Sequence, residues 1–169
     1  MERSLQPLAA IFELNADLLT NSIEGLTDAQ ANHRLEAGGN SVAFLVAHLT
    51  DARHFIADLL GFALPNPLAD ILGDAETVED VESLPPLSEL LQVWQAVSTR
   101  LSTAFESLSE ADLARTTKQR FPVDGGTVLD AITFLAQHDS YHVGQIAFLR
   151  RQLGLPAMRY ERGASRQKR

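Results

Sequence analysis

Residues 127–154 read TVLDAITFLAQHDSYHVGQIAFLRRQLG, and the periodicity of this stretch decides the fold class. Ala131, Phe134, Leu135, Ile146 and Leu149 recur at helical spacing and predict one long amphipathic helix over 127–153. Thr127 supplies an N-cap hydroxyl, and Gly154 with Pro156 supplies the stop. His138 and His142 are four residues apart, so both lie on one side of that helix, the side of its apolar stripe.

Three further segments repeat the pattern, and none reads as a strand. One covers about 5–26, with Leu8, Ile11, Phe12, Leu19 and Leu26 on a common face. The next covers about 41–60, with Phe44, Leu45, Ala52, Phe55 and Leu59, and the last about 87–108, with Leu90, Leu91, Trp94, Leu101 and Phe105. Four such helices predict an all-α four-helix bundle. Between the second and third, residues 61–86 are acidic, aperiodic and rich in Pro and Gly. That length can cross a bundle, which lets those two helices run parallel. A weak internal repeat agrees. Leu26-Thr27-Asp28-Ala29-Gln30 resembles Leu108-Ser109-Glu110-Ala111-Asp112. Each leads to a Gly-Gly pair and then to a hydroxyl N-cap followed by Val, at Ser41-Val42 and Thr127-Val128.

Composition narrows the function classes. The chain has 169 residues, 45% of them hydrophobic, which supports one domain with a real core. We expect that domain over 1–157, followed by a solvated, flexible basic tail over 158–169. The tail carries five Arg/Lys and one Glu, hence +4. The net charge of −8 therefore leaves −12 on the body, a poor platform for a phosphate backbone. No cysteine is present, so disulfides, zinc ribbons, iron–sulfur clusters and a Cys nucleophile drop out. No apolar run approaches a membrane span and no secretion signal is legible, so the expected location is cytoplasmic.

The histidines carry the chemistry. His48 falls on the stripe of the second helix, between Phe44 and Phe55, so it points with His138 and His142 into one interior. Three imidazoles buried together are costly unless each finds a partner, and a divalent metal satisfies them jointly. The alternative is three separately hydrogen-bonded core histidines. His54 turns off the stripe and is expected at the surface; His33 falls in a connection and receives no role. The segment is not the zinc-protease helix, which needs Glu directly after the first His. Three other residues are candidates to act beside the site. Asp51 is one turn after His48, a hydrogen-bond acceptor for a ligand or a base, or else a solvated carboxylate. Asn15 lies in the first helix's stripe and contacts a metal-bound ligand or satisfies buried backbone. Gln145 is one turn after His142. Tyr141 and Trp94 read as packing residues. Arg150 and Arg151 read as partners for a helix dipole, or for an anionic substrate.

The pattern His138-x-x-x-His142-x-x-Gln145, with Gly-Gly-Asn-Ser41-Val-Ala-Phe-Leu-Val-Ala-His48 in the first half, resembles the DinB-like superfamily of metal-binding bundles (DinB/YfiT-like). The resemblance spans roughly residues 5–155. It implies an up-down-down-up four-helix bundle, His48, His138 and His142 as ligands of zinc or nickel, and a homodimer. It implies as leading activity a metal-dependent transferase that uses a low-molecular-weight thiol in detoxification or stress. The alternatives are a metal-dependent hydrolase or a non-catalytic, metal-stabilised stress-response bundle.

Overall fold

A computed structural model describes residues 1–160 apart from Glu76. Four long helices form the frame: α1 (Gln6–Ile23), α3 (Val42–Leu59), α5 (Leu87–Ser107) and α7 (Val128–Gln152). Short helices lie between them: α2 (Asp28–Asn32), α4 (Ala69–Leu72) and α6 (Glu110–Ala114). The expected helices are all present, each shorter by one to three residues at an end, because the flanking positions serve as caps. Ser41 accepts from the N–H of Phe44. Thr27, Ser109 and Thr127 each form a reciprocal capping box, with Gln30, Asp112 and Asp130.

Contacts between helices set their order around the bundle as α1, α7, α3, α5. Their directions follow from hydrogen-bond partners. Asn15 meets Ser140 and Ser22 meets Arg150, so α1 and α7 run parallel. Ala16 meets Trp94 and Glu13 meets Ser102, so α5 runs opposite to α1. His48 faces His142 and Arg53 meets Asp139, so α3 runs opposite to α7. The bundle is therefore up-down-down-up, and residues 61–86 make the crossover. That connection carries α4 and a 3-10 turn at Val78–Asp80, and it pins itself to the bundle by burying Leu68 and Leu72.

The repeat is visible in three dimensions. The order long–short–long occurs twice, as α1–α2–α3 and α5–α6–α7, and the first helix of each unit packs along the last helix of the other. The core is split. One apolar cluster, around Leu19, Phe44, Leu45 and Trp94, fills one end. Another, around Phe12, Ile56, Phe105 and Ile132, fills the other. Between them runs a polar waist of Asn15, Arg53, Ser98 and Asp139, level with the three histidines.

On α1 and α3, two sequence expectations need correction. Ile11, assigned to the apolar face of α1, is exposed; Ala9, Asn15 and Ala16 complete the buried face instead. His54, expected at the surface, is buried at 6% exposure. Helix α3 is covered by α5, α7 and the α4 segment, so its buried arc is far wider than one stripe. The Nδ1–H of His54 donates to the carbonyl of Thr50 (3.0 Å), since a carbonyl only accepts. The basic tail begins docked: Met158 packs on the core, and Asn21 brackets the backbone of Arg159 (2.9 and 3.1 Å). The rest of the expected flexible tail, 161–169, lies outside the described residues.

Candidate metal centre

His48 comes from α3, and His138 and His142 come from consecutive turns of α7, so the seam between two antiparallel helices gathers all three. The Nε2 atoms of His48 and His138 face each other at 3.0 Å. One ring nitrogen from each of the three residues lies within 4.8 Å of the others. The rings meet nearly edge-on, with His138 and His142 centroids 4.5 Å apart and His48 and His142 4.9 Å apart. Among the described residues, no other group of three or more His, Cys or acidic side chains converges this way.

Burial disfavours the charged form of all three rings. Burial, then the neighbouring His142 and His48, push the pKa of His138 down to about 4. Burial and His142 also lower that of His48, with Asp51 pulling the other way. Burial lowers His142 too, opposed by Gln145 and Asp139. Neutral imidazoles offer lone pairs, which is the form that binds a cation. Facing nitrogens at 3.0 Å repel unless a proton or a cation lies between them. The donor set thus fits a divalent transition metal.

Gln145 orients one ring. Its Oε1 only accepts, so the Nδ1 of His142 (2.6 Å away) carries the proton and its Nε2 is left as the free acceptor. The amide nitrogen of Gln145 in turn donates to the hydroxyl of Tyr141 at 3.3 Å. Tyr141 stands edge-on to His142 and is more than half exposed, so it is not a core packing residue. Asp51 is half-buried and accepts from Asn66 through Oδ1 (2.6 Å). Asn15 is buried and donates to Ser140 (2.9 Å), which places it in the waist behind the histidines.

Apart from Asn15, the waist holds residues that sequence reasoning missed. Arg53, 1% exposed, donates through Nε and Nη2 to one oxygen of Asp139 (2.9 and 2.7 Å). It also donates to Ser98 and to the carbonyl of Phe12, and its guanidinium stacks 3.8 Å above Trp94. Asp139 is wholly buried, and burial pushes its carboxyl pKa up against the pull of Arg53. Arg150 and Arg151 lie in the last turn of α7, where they suit its dipole or an anionic substrate. Arg150 is also buried and donates to the carbonyls of Ser22 and Glu24 where α1 ends, and to that of Pro156. Arg151 donates to the carbonyl of Leu155. An anionic-substrate role for Arg150 is thereby displaced by a structural one.

Two concavities matter for access. A groove of about 610 Å³ runs from Gln145 along α7. A larger one, about 880 Å³, lies between α1 and α5 on the opposite face and shares no lining residue with the histidine seam.

Comparison with known proteins shows the family and the fold. The sequence profile described as the DinB superfamily matches residues 11–146. A Geobacillus kaustophilus protein called "Putative metal-dependent hydrolase GK0616" is 32% identical over 151 residues, which is 87% of this chain and 84% of that protein. A Geobacillus thermodenitrificans protein called "Putative metal-dependent hydrolase" is 33% identical over 156 residues, with the same two shares. A solved structure of a conserved protein from Enterococcus faecalis superposes with a TM-score of 0.74 at 16% identity. It covers 90% of this chain and 98% of the other. That last likeness supports the fold alone.

Proposed function

The chain belongs to the DinB superfamily, and from that premise we propose that it is a metal-dependent hydrolase whose ion is held by His48, His138 and His142. The observation that carries this reading is the convergence of three neutral-favoured imidazole nitrogens within 4.8 Å. The names of the two Geobacillus relatives support hydrolysis over other chemistries. Zinc and nickel are the ions best suited to such a donor set. Bound there, a divalent ion supplies a Lewis acid and makes a water acidic enough to lose its proton near neutral pH.

The chain's own residues do the rest. Gln145 fixes the His142 ring by accepting its Nδ1–H. Asn66 holds Asp51 through Oδ1, which leaves Oδ2 as the atom proposed to accept a proton during hydrolysis. Arg53 and Asp139 tie α3 to α7 beneath the seam and so set the spacing of His48 against His138 and His142.

A second reading, S-transfer with a low-molecular-weight thiol, draws support from one feature. Three neutral ligands leave the ion's charge uncompensated, which suits a thiolate, and a chain without cysteine must take that thiol from a cosubstrate. Elemental mass spectrometry on untagged protein, wild type beside His142→Ala, tests the site. About one zinc or nickel per chain, lost in the variant, is expected. Ester hydrolysis by the loaded protein without added thiol would then support the hydrolase, and turnover only with thiol would replace it by the transferase. A folded wild type that takes up neither metal removes both.

A further inference from the structure

Gly144 sits inside α7, where glycine costs about 1 kcal/mol relative to alanine. The usual reasons for it are absent. Its φ is not positive, and a Cβ built there would meet nothing within 4 Å. No neighbour among the described residues needs the space. Gly144 lines the 610 Å³ groove beside Leu35, Leu45, Tyr141, Phe148 and Leu149, and Glu36, Asn40 and Gln145 make its polar side. Tyr141 and Phe148, seven residues apart on one face of α7, flank it and are 57% and 61% exposed. The concavity falls within the usual range for small-molecule sites, and such sites are mostly apolar with a few polar groups.

The groove adjoins the histidine seam through Gln145 and Tyr141, though none of the three histidines lines it. Gln145 lines it and holds the Nδ1 of His142; Tyr141 lines it and stands against the His142 ring. On α3, Leu45 lies one turn before His48. We infer that this groove binds the apolar, alkyl or aryl part of the substrate whose reacting group lies at the three histidines, and that Gly144 keeps the groove open. The inference rests on the metal-site reading above. A concave site joined to a ligand's hydrogen-bond partner favours a small molecule over a second protein surface, which would need a broader face.

Hydroxamates test it by binding rather than turnover, because the head group chelates the metal and the tail probes the groove. Titration calorimetry on the zinc-loaded chain compares acetohydroxamate with octanohydroxamate. With the extra methylenes partly buried, octanohydroxamate binds roughly 10–100-fold more tightly. Gly144→Phe fills the groove and brings that ratio close to one, while zinc content and acetohydroxamate affinity stay unchanged. Phe148→Ser, at an exposed position, lowers the ratio without filling anything. A wild-type ratio near one, or a ratio that neither variant moves, overturns the groove and leaves the metal site standing. Absence of zinc binding overturns both. Zinc retained with no hydroxamate binding overturns the groove together with the open coordination position. Variants that change the sedimentation coefficient but not the ratio assign the face to a second copy of the chain, which also overturns the inference.

Discussion

Removing one member of the Arg53–Asp139 pair leaves a charge with almost no access to water. At 1% and 0% exposure, both groups are beyond rescue by solvent. In Asp139→Leu the guanidinium keeps Ser98, the Phe12 carbonyl and its stack on Trp94, but loses both charge-assisted bonds. Breaking a buried pair this way costs about 3–5 kcal/mol. Arg53→Met strands a carboxyl whose pKa burial already raises. That group takes up a proton instead of staying charged, so the expected loss lies at the lower end, about 3 kcal/mol. The double variant places two apolar side chains between two apolar clusters and recovers most of what the singles lose. A coupling of at least about 2 kcal/mol is expected. With a urea m-value of about 2 kcal/mol/M, the singles lower the unfolding midpoint by about 1.5–2.5 M and the double variant by far less. Single losses that simply add in the double variant would refute the buried pair as described.

Acidification destabilises the metal-free protein between about pH 6.5 and pH 4. All three site histidines have folded-state pKa values below the ordinary one, so in that window the unfolded chain binds more protons and stability rises with pH. Thermal melts across that range on chelator-treated protein check the sign, and a flat profile counts against burial of the rings. Gln145→Ala removes the acceptor for the Nδ1–H of His142 and weakens zinc binding about 10–100-fold in chelator competition, with Gln145→Glu restoring it. Arg150→Met leaves the Ser22 and Glu24 carbonyls without their donor, at a cost of about 2–3 kcal/mol. Calorimetry should show the melting temperature falling by roughly 5–10 °C; a shift under about 2 °C, by the same scaling, would show that water replaces the arginine freely.

Helices, caps and the histidine seam were legible because each has a local signal. Periods near 3.6 mark the faces, hydroxyls before apolar runs mark the starts, and a four-residue spacing aligns His138 with His142. The charged pair of the waist was not legible, because charges normally face solvent and nothing local marks Arg53 as buried. A signal did exist in the repeat. Arg53 and Asp139 are 86 residues apart, the same separation as the N-caps Ser41 and Thr127. Opposite charges at matched positions of two reciprocally packed units can meet. His54 was misplaced for a different reason: a single stripe underestimates a helix with neighbours on several sides. Tyr141 was read as packing because a ring near an apolar face is usually core, whereas here the groove keeps it in solvent.

That matched spacing bears on how the bundle chooses its partners. Phe12 and Trp94, which both lie over the Arg53 guanidinium, have the same spacing as the caps Thr27 and Ser109. Were two first halves to associate, the same site would confront arginine with arginine; two second halves would confront aspartate with aspartate. Only a first half against a second half neutralises the site. The pair therefore acts as an electrostatic key for heterotypic assembly, discriminating against like-with-like docking of halves that otherwise share their caps and their order of helices. A single chain satisfies that key with its own crossover, and two chains could satisfy it only by exchanging whole halves.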